Sequence, residues 1–191
     1  MKISEEQVRK SKSAKLILLF AMVSMTMMFA GLTSAFVVSK SRADWLKNFE
    51  LPSAFYYSTA VIIGCSIAFH LAKKAIQKDN RSATTGFLFA TLLLGIAFVF
   101  LQFEGFGQIV KSGYYFTGKG SSITTTFLYV VTVTHLLHLA GGVISLIIVI
   151  YNHFKQKYNS TQTLGIELGA MYWHFLDLLW VYLFLFLYFF K

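Results

Sequence analysis

From position 123 to position 151 the chain runs 29 residues without a lysine, arginine, aspartate or glutamate. At about 1.5 Å of rise per residue, a helix of that length crosses the roughly 30 Å hydrocarbon core of a bilayer with a turn or two to spare for tilt. The feature recurs. Positions 16–39 hold 24 uncharged residues, 52–72 and 84–103 are likewise uncharged, and 168–190 carries a single charge, Asp177. These five runs predict an all-α integral membrane bundle, organised as one transmembrane domain over 1–191 with 1–15 as a polar tail. The chain is 56% hydrophobic and 17% aromatic, which leaves too little polar surface to cover a water-soluble fold. The first run is too long for the apolar core of a cleaved leader, so it is expected to stay as a membrane helix. The lone Cys65 predicts no disulfide, and Pro52 suits the first turn of the second helix.

The net charge is +9, but the cations flank the apolar runs instead of forming a patch, so they read as membrane anchors and not as a nucleic-acid surface. Eleven lysines and arginines precede the first run or lie in loops 73–83 and 152–167; six (Lys40, Arg42, Lys47, Lys111, Lys119, Lys191) fall on the other side. Loops richer in Lys and Arg stay cytoplasmic, which predicts an inside N-terminus and an outside C-terminus. Loops this short house no soluble catalytic domain.

Ionisable groups inside an apolar run are costly unless paired or turned to a polar interior. On the last run Glu167, His174 and Asp177 fall within an arc of about 80°; on the fourth, Thr132, His135, His138 and Gly142 fall within about 120°. Gly141 and Ser145 form a small-xxx-small pair suited to close helix packing, together with Gly142. His138 and Asp177 stand at similar depth on helices joined by a short loop, so a His138–Asp177 pair is expected within a structural network of Thr132, His135, His138, Glu167, His174 and Asp177. The competing reading makes His135, His138 and His174 haem or metal ligands in an independent membrane protein, with Asp177 and Glu167 as further candidates. A carboxylate-bridged di-iron bundle asks for more carboxylates than this. Met22, Met25, Met27 and Met28 are read as adaptable packing and not as copper ligands, and His70 as an interfacial side chain.

The run Tyr172-Trp173-His174-Phe175-Leu176-Asp177-Leu178-Leu179-Trp180, with Glu167 upstream, resembles the closing signature of subunit III of the haem-copper terminal oxidases. Thr132, His135, His138 and Gly142 match a second motif of that family, and Gly95, Phe98 and Gln102 a third. Five runs in place of seven resemble its shorter bacterial form. The resemblance implies a non-catalytic accessory subunit of a bacterial cytochrome c or quinol oxidase in the inner membrane. Such a subunit carries no haem or copper, which belong to partner subunits. It sits beside subunit I and other oxidase subunits, within reach of a larger respiratory supercomplex, and holds phospholipid. The related subunit of a nitric oxide reductase complex is an alternative of the same kind. Trp173, Trp180 and Phe184 are then a lipid or subunit docking face. One departure matters: Met25 stands where many members have a buried glutamate, so no proton-related role of that acid is carried over.

Overall fold

The computed structural model describes residues 5–46, 50–118, 120–160 and 162–190. Of the loop and terminal cations counted above, Lys2, Lys47, Lys119 and Lys191 lie outside the described residues. The five predicted spans appear as α1 (Glu5–Val38), α2 (Ser53–Gln77), α3 (Arg81–Lys111), α4 (Ile123–Phe154) and α5 (Leu164–Phe190), with a 3-10 turn at Ser39–Ser41. Each of the five is long and apolar enough to cross a membrane.

The helices overrun the expected boundaries. Part of the polar tail is the start of α1, loop 73–83 shrinks to a turn between Gln77 and Arg81, and α3 continues to Lys111. A charged side chain ends the membrane-compatible stretch but not the helix, since lysine and arginine are good helix formers. The stops come from backbone chemistry: Asp79 and Gln156 adopt φ of 54°, and Gly113 adopts 83°, each just past a helix end. Starts are capped. Asn80 accepts the Ala83 N–H at 3.1 Å, and Ser122 forms a reciprocal box with Thr125. Pro52 precedes the first turn of α2 by one position.

Buried positions recur at alternating intervals of three and four. On α3 they are Thr84, Leu88, Thr91, Gly95, Phe98, Gln102, Gly105 and Ile109. The α4 series Leu128, Thr132, His135, Leu139, Gly142, Leu146, Val149 and His153 keeps the same spacing. This mean of 3.5 belongs to helices that cross at about 20°. Much of the surface outside the stripe is apolar too, including exposed Leu93, Phe100, Leu137 and Ile144, as a lipid-facing side would be. The closest pair is α2 with α3. Between them Gly64 meets Leu94, the Cys65 thiol donates to the Thr91 carbonyl at 3.2 Å, and the Phe55 ring lies directly against Gly105. The last helix touches α1, α2 and α4, so it is the hub. By contrast α1 is peripheral, burying Met22, Phe29, Thr33 and Phe36 along one edge.

One end of the bundle is tied across its turns. The Ser160 N–H donates to Asp79 at 2.8 Å, and Arg81 donates to the Tyr158 carbonyl at 2.9 Å, joining the α2–α3 turn to the α4–α5 loop. Hydrogen bonds from the Ser160 hydroxyl and N–H hold the Asp79 carboxyl below its ordinary range.

Gly105→Ala drives a methyl into Phe55 and is expected to cost about 1–3 kcal/mol by overpacking. Gly107→Ala, with nothing within 4 Å of the new carbon, is expected to hold or slightly raise thermal stability in detergent, since alanine favours a helix over glycine. For Asp79 the folded pKa is the lower one, so its contribution is present above the unfolded value of about 3.9 and disappears as pH falls through the folded value. Amide-exchange protection at Ser160 is therefore expected to fall on acidification below about pH 4, and Asp79→Asn to remove that pH dependence.

Candidate functional site: a divided polar core

The intramembrane polar residues separate into groups on different helix faces. The first centres on His135, whose side chain is fully buried. Its ring meets Phe98 at 6.1 Å, Trp180 at 5.3 Å and Phe29 at 6.5 Å between centroids. Neither ring nitrogen has a hydrogen-bond partner among the described residues, and the buried Thr132 hydroxyl, one turn away, lacks one too. Nearby, Trp180 donates its indole N–H to Thr59 at 3.1 Å, and Gln102 donates to Ser58 at 2.9 Å.

His138 belongs to another face. Its Nδ1 donates to the Thr134 carbonyl of its own helix at 2.8 Å, and its ring packs edge-on to Phe29 at 5.8 Å. A third group lies between α2 and α5. There the Ser66 hydroxyl and His174 Nδ1 are 2.6 Å apart, and the exposed His70 has its ring centroid 6.2 Å from that of His174. Asp177 is buried beside Cys65 and Ser66, with neither carboxylate oxygen in a hydrogen bond by distance and angle. Ser66, 2.6 Å from His174, is the hydroxyl that can also turn a proton to Asp177. The fourth group is at the end of the bundle: Glu167 pairs with Lys15 at 2.6 Å and accepts from Thr163 at 2.6 Å.

The expected His138–Asp177 pair is therefore not formed. Depth was right: His135 meets Trp180 and Gly142 meets Trp173, which places His138 level with Asp177. Orientation was not. Tyr172 and Leu176 are the α5 side chains turned to α4, through the His138 carbonyl at 3.1 Å and Gly142 respectively. Asp177, about 100° further round, looks at α2. A second expectation also changes. Trp173 and Trp180 are fully buried in the bundle and offer no lipid or docking face, while Phe184 is half-buried against Tyr56 at 5.1 Å. They occupy the three-four stripe of α5 along with Ile166, Ala170, Leu183 and Leu187. Gly142 does admit Trp173 and Leu176 closely; Gly141 faces the Tyr172 hydroxyl, and Ser145 donates back to the Gly142 carbonyl at 2.8 Å.

No group of three or more His, Cys, Asp and Glu side chains among the described residues is placed to share a metal ion. His138 and His174 make different hydrogen-bond contacts, to the Thr134 carbonyl and to Ser66, while His135 is enclosed by aromatic rings. The residues that sequence reasoning passed over are hydroxyls, Ser58, Thr59 and Ser66, together with Lys15. Only their position on the stripe of α2, or at the mouth of α1, marks them.

Removing one partner of a buried ion pair costs about 3–5 kcal/mol. Since Asp177 has no such partner, Asp177→Asn is expected to leave stability unchanged or higher. His138→Phe, which gives up one bond within its own helix, shifts it by less than about 1 kcal/mol. Denaturation in micelles measures both.

A profile of the family described as cytochrome c oxidase subunit III matches residues 5–191. Cytochrome c oxidase subunit 3 of Spodoptera frugiperda is 31% identical over 140 residues, covering 73% of this chain and 89% of that protein. The Petromyzon marinus protein of the same name is 32% identical over 143 residues, 75% of this chain and 51% of its own length. That of Drosophila yakuba is 30% identical over 140 residues, 73% and 50%. The chain thus spans about half the length of these last two relatives. With five membrane-crossing helices and a match running through all of them, the chain belongs to the subunit III family of the haem-copper oxidases.

Proposed function

We propose that this chain is an accessory, non-redox subunit of a bacterial terminal oxidase. The complex reduces oxygen to water and conserves energy as a proton gradient, with haem and copper on partner subunits. The chain lies directly beside subunit I, and Thr132, His135, His138, Glu167, His174 and Asp177 serve the bundle's own architecture. One observation carries this reading: the histidines that could have held a cofactor are turned to separate neighbours, His135 to aromatic rings, His138 to Thr134 and His174 to Ser66. A protein of this build supplies shape and surface, not electron transfer.

The bacterial cytoplasmic membrane is its place, with the N-terminus, the α2–α3 turn and the α4–α5 loop inside. Lys10, Lys15, Lys73, Lys74, Lys78, Arg81 and Lys155 lie at that end, which suits the leaflet's Lys/Arg bias. The exposed apolar faces of the helices hold phospholipid or meet partner subunits. Met25 is half-buried on α1 and brings no carboxylate to this surface.

Tagged chain extracted in mild detergent is expected to bring down a larger haem-bearing polypeptide. Deleting the chain leaves the partner's haem spectrum intact but shortens the period over which it sustains oxygen consumption. Chain that purifies alone, or with haem of its own, refutes the reading.

A further inference from the structure

We infer that the α3–α4 interface holds a bound water molecule between Gln102, Thr132 and His135. Ser58 donates its hydroxyl to the Phe55 carbonyl at 2.9 Å, so toward Gln102 it can only accept. That fixes the amide: Nε2 points to Ser58 at 2.9 Å, and Oε1 is turned away from it. Thr59 is committed in the same manner, donating to the Phe55 carbonyl at 2.8 Å and accepting from Trp180. No hydroxyl on α2 is left to serve Oε1, which is buried and unpartnered among the described residues.

The register of α3 on α4 supplies the other side. Phe98 packs on His135 with ring centroids 6.1 Å apart, and Phe106 stacks on Tyr129 at 5.2 Å. Gln102 lies midway between Phe98 and Phe106 on α3, and Thr132 midway between Tyr129 and His135 on α4, so the two share a level on facing stripes. Both are fully buried. Thr132 differs from several helical threonines of this chain. Thr26, Thr33, Thr59, Thr84, Thr85 and Thr91 all donate to the carbonyl four residues back, whereas the Thr132 hydroxyl does not bond its own helix.

The polar atoms brought to this level do not balance by themselves. A neutral imidazole has one N–H donor and one bare nitrogen, and Thr132 supplies one further proton. A direct bond from Thr132 to Gln102 satisfies Oε1 but leaves both His135 nitrogens unserved, with rings of Phe29, Phe98 and Trp180 about them. Water has two donors and two acceptor sites, and is small enough for a packed helix interface. It can donate to Gln102 Oε1 and to the bare imidazole nitrogen while accepting from Thr132, so three of these four groups are served where the direct bond serves two. No bulk water exists at this depth to serve these atoms otherwise.

The test is a density map of the membrane complex containing this chain, at a resolution that shows ordered waters. It is expected to show a compact peak within about 3.2 Å of Gln102 Oε1 and of Thr132 or His135. Direct side-chain bonds, or apolar atoms filling that volume, overturn the inference. Radiolytic labelling in 18O water gives a second readout that does not need a map. In the native chain and in Thr132→Ser, label enters His135 or Trp180, and the doubly apolar variant Gln102→Leu with Thr132→Val lowers it several-fold. Equal labelling in that variant, or none in the native chain, overturns the inference as well.

Discussion

The close approach of α2 to α3 governs the rest of the bundle. Lipid is as apolar as a leucine side chain, so the hydrophobic effect that drives association in water gives little reason for two helices to touch here. Contact must come from surfaces that fit and from polar atoms with nowhere else to go. Gly105 lets the Phe55 ring lie on the α3 backbone, and Cys65–Thr91 and Gln102–Ser58 pin the pair at two depths. Phe55 in turn meets Trp180 edge-on at 5.6 Å, which seats α5 against the pair. From α5 the packing passes to α4 through Gly142, and to α1 through the Thr33–Tyr182 hydroxyl contact at 3.0 Å.

Polar side chains in this interior are kept apart by aromatic ones. Trp180 and Phe98 pack on each other and on His135, and Phe29 of α1 packs on both histidines of α4. The polar contacts thus fall at separate places in the bundle, His138 on Thr134, Ser66 on His174 and Gln102 on Ser58. A single connected network would have tied all the helices to one protonation state. Separate ones do not.

Fold class was written plainly in the sequence, because five charge-free runs have few alternatives in lipid. Helix ends were less legible, since Lys73, Lys74 and Lys111 mark where hydrocarbon stops and not where the backbone turns; Asp79 and Gly113 carried that information. Depth along a helix could be counted from the sequence, and His138 and Asp177 do stand level. Rotation could not, because lipid-facing and protein-facing residues are equally apolar and give no amphipathic signal. A seven-residue interval was the usable clue: Trp173 and Trp180, with Ile166 and Leu187, repeat at that spacing and are all buried. Hydroxyls such as Ser58 and Ser66 had no signature, because a serine on an apolar helix normally bonds its own backbone.

The peripheral seat of α1 bears on how the protein is made. Its main neighbours are α5 and α4, both made well after it, and Lys15 finds Glu167 only after 152 further residues have been synthesised. Until α4 and α5 are made, α1 lacks the contacts that they give it in the bundle, and its apolar surface suits it to wait in lipid. A chain that stops short of α4 leaves α1 without those contacts.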